Sequence, residues 1–176
     1  MNVNPELISK RRILSIDGGG ILGTFPAAFL AKLEENLDQP ISNYFDLIVG
    51  TSTGGIIALG LGMGLSAADI LLMYEKSGAA IFGQQQGVFL NYLVNKLRII
   101  RWGFRRKYSS ENLRSTLFKL FGDRKLGESK CRLAIPAWNP IAQTVYIYKT
   151  AHHPRLRNDY KSLVVDAALA TSAAPT

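Results

Sequence analysis

Two glycine-rich stretches decide how this sequence folds: D-G-G-G-I-L-G at residues 17–23 and G-T-S-T-G at residues 50–54. An apolar run precedes each of them, R-I-L-S-I in the first case and F-D-L-I-V in the second. Each run predicts a short buried strand that ends in a tight turn. A helical pattern follows each turn, at residues 25–37 and 53–62. This repeated order of strand, turn and helix predicts an α/β fold with a mainly parallel sheet.

The rest of the chain continues the alternation. Ser66, with Asp69 three residues later, predicts the N-cap of a third helix that runs to about residue 80. A fourth helix is predicted to end at residue 121, strands at residues 131–137 and 144–150, and a last helix from Ser162. In the first helix the spacing of apolar residues predicts one buried face made of Phe29, Leu30, Leu33 and Leu37.

Length and composition limit the class of protein. The 176 residues predict one domain, and 47% apolar with 19% charged residues is typical of a globular chain. A single cysteine excludes an intrachain disulfide, and with only two histidines we expect no structural metal and no cofactor. The net charge of +8 favours an anionic partner, such as a phospholipid surface or a nucleotide.

Residues 47–68 carry no charge and are long enough to cross a bilayer. Six glycines and a division into a strand half and a helix half favour a buried strand–turn–helix instead, so we expect no transmembrane span. The polar, basic N-terminus predicts no signal peptide, and therefore a cytoplasmic location. Because no nucleic-acid-reading motif is present, we expect no nucleic acid partner.

The stretch at residues 50–54 fits the pattern G-x-S-x-G, placed between a predicted strand and a predicted helix. A serine on such a turn has a strained backbone, and Gly50 and Gly54 let strand and helix pass closely. The Ser52 hydroxyl would then lie at a helix N-terminus, where the dipole favours developing negative charge. An ordinary Gly/Ser loop is the alternative. We interpret Ser52 as the nucleophile of an acyl-transfer reaction.

The first glycine stretch predicts the matching oxyanion hole. Successive backbone N–H groups can point into one cavity, and the amide of the residue after the serine can join them. The residues expected to contribute are Gly18, Gly19, Gly20 and Thr53. With Gly23 the stretch also fits the dinucleotide pattern G-x-G-x-x-G, but the second strand ends in glycine where a ribose-binding acid is needed. A dinucleotide-binding oxidoreductase domain is therefore the weaker alternative.

These two motifs, in this order and spacing, resemble those of the patatin-like phospholipases, and so does A-T-S-A-A-P-T at residues 170–176. The resemblance covers residues 13–176 and implies a three-layer α/β fold with a mainly parallel central sheet. It implies a lipid acyl hydrolase that cleaves glycerolipid esters with a Ser–Asp dyad, Ser52 being the nucleophile beside the triple-glycine oxyanion hole. Leu22 stands where the family often has Arg or Lys, which leaves the head-group preference open.

The dyad aspartate of this family lies in an Asp-Gly segment shortly after the A-T-S-A-A-P stretch. The only Asp-Gly pair here is Asp17-Gly18, so we expect residues 1–176 to be a C-terminally truncated domain with weak or no hydrolysis. Asp166 is an alternative base, but its place inside a predicted helix favours an exposed or capping acid. The order of elements argues against an α/β-hydrolase triad through His152 or His153.

A basic and aromatic stretch near the middle of the chain suits a lipid interface, where cationic groups meet head groups and Trp enters the boundary. The candidate interface residues are Arg98, Arg101, Trp102, Phe104, Arg105 and Arg106. A solvated helix face is the alternative. Bacterial patatin-like effectors of antiphage defence are switched on by cyclic nucleotides, and the basic charge favours such an activator here. We expect an enzyme that is peripheral at the inner membrane surface; a non-catalytic membrane- or nucleotide-binding module is the competing hypothesis.

Overall fold

The computed structural model describes residues 10–82 and 110–173. Strand β1 (Ile13–Ile16) leads through a 3-10 turn (Gly20–Gly23) into helix α1 (Thr24–Glu34), and a second 3-10 turn (Ile41–Tyr44) leads into β2 (Leu47–Gly50). Helices α2 (Thr53–Gly62) and α3 (Ala67–Phe82) follow. The C-terminal part contains α4 (Ser110–Phe121), a 3-10 turn (Leu126–Glu128), β3 (Leu133–Asn139), β4 (Thr144–Lys149) and α5 (Val164–Ser172).

The four strands form one sheet in the order β1-β2-β3-β4. Strands β1, β2 and β3 are parallel, and β4 is antiparallel to β3. The carboxyl ends of the three parallel strands therefore lie at one edge of the sheet, which we call the carboxyl edge. The amino end of β4 lies at that same edge, and its carboxyl end lies at the opposite one. The predicted α/β fold with a mainly parallel sheet is confirmed.

The core lies between the sheet and its helices. Side chains of one sheet face, among them Ile48, Leu133 and Ile135, are fully buried against α2 and α5. Every residue of α2 is buried, which explains why this helix is apolar on all sides. The uncharged stretch at residues 47–68 is thus a buried strand and helix, as predicted. Within the described ranges no helix is long and apolar enough to cross a membrane.

The buried face predicted for the first helix is confirmed only in part, because Leu30 is buried and Leu37 packs against the core but Phe29 and Leu33 are exposed. Ala27 and Leu30 are buried, whereas Phe29 is 61% exposed and Leu33 is 39% exposed. Eight of the eleven residues of α1 are apolar, so the spacing alone does not specify which side faces the core. The Glu34 carboxylate fixes the helix rotation, because it accepts the N–H groups of Ile41 at 3.0 Å and Ala67 at 2.6 Å. In this orientation α1 packs on α3.

A buried carboxylate anchors the segment that follows β4. Asp159 is only 6% exposed, and it accepts the Tyr146 hydroxyl and the Lys149 N–H, the latter at 2.9 Å. The hydrogen bond to Asp159, together with burial, raises the pKa of Tyr146 to about 12. The protonated phenol is therefore the form that the folded chain stabilises.

We expect Tyr146→Phe to lower the unfolding free energy at pH 8 by about 1 kcal/mol, because Asp159 loses a charge-assisted hydrogen bond at a partly exposed site. A folded-state pKa above the ordinary value of 10 gives stability below pH 10 that is lost as the pH rises towards 12. The variant should therefore lose stability less steeply than the parent between pH 10 and pH 11.5. Urea denaturation across this range measures both effects.

Tyr160→Phe is the matched control, since Tyr160 is similarly exposed and has no carboxylate partner among the described residues. Equal pH slopes for the parent and the Tyr146→Phe variant would contradict the link to Asp159.

Candidate active site

Ser52 lies at the turn between β2 and α2, on the carboxyl edge of the sheet. Its backbone adopts φ 55° and ψ −125°, a region that side-chain-bearing residues rarely occupy and that costs about 1–3 kcal/mol. The Ser52 carbonyl accepts the Ile56 N–H at 3.0 Å, so this residue is the N-cap of α2. The half-buried serine thus stands at the positive end of a helix.

Glycines make this turn possible because three backbone segments meet there. A Cβ atom on Gly50 would lie 2.2 Å from the Gly54 carbonyl oxygen, and one on Gly54 would lie 2.2 Å from the Ile16 carbonyl oxygen. Neither position has room for a side chain of any size. β1, β2 and the first turn of α2 are therefore in direct backbone contact beside Ser52.

The structure brings the two glycine stretches together. A Cβ atom on Gly18 would lie 2.7 Å from Cβ of Ser52, and one on Gly23 would lie 2.7 Å from Cβ of Thr53. The Gly19 N–H donates to Oγ1 of Thr53 at 3.1 Å, which fixes the loop against the N-terminus of α2. These contacts place the backbone of the glycine loop next to the Ser52 side chain and the N-terminus of α2.

The four backbone amides predicted for the oxyanion hole differ in their hydrogen bonding. The Gly19 N–H is already bonded to Oγ1 of Thr53, across 34 residues of sequence. The N–H groups of Gly18, Gly20 and Thr53 make no hydrogen bond within the described ranges, and those in the first turn of a helix have no intrahelical acceptor. Of the four residues predicted for the oxyanion hole, three thus present amides that are not already bonded to described residues.

An apolar cavity of ≈ 380 Å³ adjoins the glycine loop. It runs along β1 and α1 past Asp17 and Gly18. Two of its large side chains point into solvent, since Leu22 is 73% exposed and Phe25 is 77% exposed. An apolar surface therefore reaches from the protein exterior to the neighbourhood of Ser52, and it is suited to an apolar chain.

The alternative bases from the sequence analysis lie elsewhere. Asp166 is half exposed in the first turn of α5 and pairs with Arg114 at 3.6 Å, as expected for an exposed acid. His152 and His153 follow the carboxyl end of β4, which is the sheet edge opposite to Ser52. Within residues 10–82 and 110–173, the Ser52 hydroxyl has no hydrogen-bond partner.

Thr171 is a neighbour of Ser52 that local sequence patterns do not reveal. Its Oγ1 accepts the Ser52 N–H at 3.0 Å across 119 residues of sequence. The only sequence signal was that Thr171 belongs to the stretch at residues 170–176. The candidate interface residues between 98 and 106 lie outside the described residues.

Comparison with known proteins links the chain to one family. The family model described as patatin-like phospholipase matches residues 14–176. A "cGAMP-activated phospholipase" of Pseudomonas aeruginosa is 37% identical over 168 residues, covering 96% of this chain and 48% of the relative. A protein of the same name from Vibrio cholerae is 37% identical over 180 residues, covering 97% and 50%. The chain thus spans about half the length of these curated relatives.

Solved structures show the same fold at low sequence identity. VipD from Legionella pneumophila matches with a TM-score of 0.55 at 14% identity, over 95% of this chain and 43% of that one. ExoU of Pseudomonas aeruginosa, solved in complex with SpcU, matches with a TM-score of 0.50 at 18% identity, over 95% and 39%. These two likenesses concern the fold alone.

Proposed function

The chain belongs to the patatin-like phospholipase family, and on that basis we propose that it is a lipid acyl hydrolase with Ser52 as its nucleophile. Residues 1–176 would form the patatin-like domain of this enzyme. The observation that carries the proposal is the strained Ser52 backbone at the N-terminus of α2, with Gly18 packed against the serine side chain. A hydroxyl on such a turn would be accessible to an ester and close to backbone amides that bond to no described residue.

In the proposed reaction Oγ of Ser52 attacks the ester carbonyl of a glycerolipid. The negative charge on the tetrahedral intermediate would be stabilised by the amides of Gly18, Gly20 and Thr53 and by the α2 dipole. The Thr53 hydroxyl oxygen also accepts the Gly19 N–H and so holds the glycine loop against the N-terminus of α2. Collapse of the intermediate expels the lysolipid oxygen, which takes up the proton that the base removed from Ser52. The base then removes a proton from water, which hydrolyses the acyl-serine, frees the fatty acid and regenerates the hydroxyl.

A base must take the proton of Ser52 for this attack. The Ser52 hydroxyl has no partner among the described residues, and Asp166 is paired with Arg114. No aspartate occurs among residues 1–9, 83–109 and 174–176, so we propose that the base is an aspartate that residues 1–176 do not include.

Membrane phospholipid is the substrate that we propose. The cavity beside Gly18 offers apolar walls for an acyl chain, with Leu22 and Phe25 at its exposed rim. The net charge of +8 would favour an anionic lipid surface. The enzyme would then act peripherally at the inner membrane surface, with the basic stretch at residues 98–106 as a further contact.

We also propose that a cyclic dinucleotide activates the enzyme. The proposal is supported by the names of two relatives that are 37% identical over nearly the whole chain, both called cGAMP-activated phospholipases. A basic chain is suited to such a ligand, which carries negative charge on its phosphates.

Vesicles of phosphatidylethanolamine and phosphatidylglycerol test the proposed function. In a protein that includes the base aspartate, we expect release of free fatty acid above the background of a Ser52→Ala variant, because only the parent can form the acyl-serine. Added cGAMP should increase the release further. Release that equals the Ser52→Ala background, with and without cGAMP, would contradict the proposed hydrolase.

A further inference from the structure

We propose that Thr171 is a positioning residue for Ser52, an inference that rests on the proposed role of Ser52 as nucleophile. The Thr171 hydroxyl accepts the Ser52 N–H at 3.0 Å and donates its own proton to the Pro136 carbonyl at 2.6 Å. A hydroxyl offers one donor and two acceptor sites, so it can serve both groups together. One side chain of α5 thereby joins the end of β2 to β3.

The register of β2 and β3 explains why a hydroxyl is needed at this point. Ile48 donates its N–H to the Arg132 carbonyl at 2.9 Å, and a parallel strand presents its N–H groups to the same neighbour at every second residue. Continued along both strands, the ladder would pair the Ser52 N–H with the Pro136 carbonyl. The chain turns from β2 into α2 at Ser52, and the Thr171 oxygen bridges the gap between these two groups.

The Ser52 backbone depends on restraints of this kind. Residues with a positive φ persist only where their surroundings hold them. If the Thr171 hydroxyl is removed, the Ser52 N–H and the Pro136 carbonyl both lose their partner, and an unpaired polar group is costly when buried. The turn would then relax and move the serine hydroxyl away from the amides beside Gly18.

The hydroxyl and the methyl group of Thr171 make different contacts. A Cβ atom on Gly55 would lie 2.8 Å from the Thr171 methyl carbon, so this methyl group packs directly on the first turn of α2. The hydroxyl makes the hydrogen bonds, and the methyl group makes the packing contact. Thr171→Val keeps the shape and deletes the hydroxyl, whereas Thr171→Ser keeps the hydroxyl and deletes the methyl group. Comparison of these two variants therefore distinguishes the effect of the hydroxyl on the Ser52 backbone from the effect of the methyl group on packing.

Two measurements on the 176-residue chain test the proposal. Hydrogen exchange of the Ser52 amide reports the hydrogen bond directly, and the labelling rate of Ser52 by a fluorophosphonate reports the position of its hydroxyl. Because a displacement of about 1 Å can cost 100-fold in rate, we expect labelling of Thr171→Val to be about 10- to 100-fold slower, and labelling of Thr171→Ser to stay within about threefold of the parent. The Ser52 amide should stay protected in Thr171→Ser and lose protection in Thr171→Val.

Either of two results would overturn the positioning role: a Ser52 amide as protected in Thr171→Val as in the parent, or labelling of Thr171→Ser as slow as that of Thr171→Val. If Thr171→Val does not fold, Thr171→Ala against Thr171→Ser makes the same comparison, since these variants differ only in the hydroxyl. Labelling of Ser52→Ala at the parent rate would instead refute the proposed function, and the amide exchange would still decide whether Thr171 holds the turn.

Discussion

Replacing Ser52 with alanine should abolish fluorophosphonate labelling, and in a protein that includes the base aspartate it should lower ester hydrolysis by at least about 1,000-fold, because the acyl intermediate forms on this hydroxyl. A second prediction concerns the unfolding free energy of variants at the same position. Ser52 has φ 55°, so Ser52→Gly should be more stable than Ser52→Ala by about 1 kcal/mol, since glycine adopts positive φ freely. Labelling mapped by mass spectrometry and urea denaturation of the three chains measure the two effects.

Ser115→Ala is the control for this experiment. The Ser115 hydroxyl is exposed on α4 and donates only to the Asn112 carbonyl, at 3.0 Å. Its loss should leave labelling unchanged. Retention of labelling in Ser52→Ala would exclude Ser52 as the nucleophile. If Ser52→Gly is less stable than Ser52→Ala, the positive φ is not a source of strain.

Gly54→Ala is expected to have the largest effect on stability. The added Cβ atom would lie 2.2 Å from the Ile16 carbonyl oxygen and 2.7 Å from the Asp17 carbonyl oxygen. Both are backbone atoms, so the overlap cannot be relieved by rotating a side chain. The first turn of α2 and β1 would have to separate, and we expect the unfolding free energy to fall by about 3 kcal/mol or more. Urea denaturation gives this difference directly, and insoluble protein would be its extreme form.

Gly122→Ala is the control for Gly54→Ala. It adds a Cβ atom to a glycine with positive φ at a position where we expect no steric overlap. Gly122 has φ +60°, and apart from its own atoms and those of its two chain neighbours, no atom of the described residues lies within 4 Å of the position of its missing Cβ atom. The change should cost only about 1 kcal/mol, from backbone strain alone. Equal losses in the two variants would contradict the close approach of β1 and α2 at Gly54.

Local chemistry made much of the fold predictable. The strands before both glycine turns, the all-apolar helix α2 and the N-cap at Ser66, whose oxygen accepts the Asp69 N–H at 3.0 Å, all follow from short stretches of sequence. The rotation of α1 was not predictable in this way. Most residues of that helix are apolar, and the groups that Glu34 binds lie in other segments of the chain. A periodic pattern indicates a buried face only when the other faces are polar.

The sequence by itself determined that Ser52 stands on a tight strand-to-helix turn and that a triple-glycine loop precedes it, because glycine spacing acts on the backbone of its immediate neighbours. Only the tertiary structure decided that the Gly19 amide is bonded to Thr53, that the two histidines lie at the far edge of the sheet, and that Thr171 holds the Ser52 N–H. Such contacts join residues far apart in the chain. They depend on strand order and helix packing, which no local stretch of residues specifies.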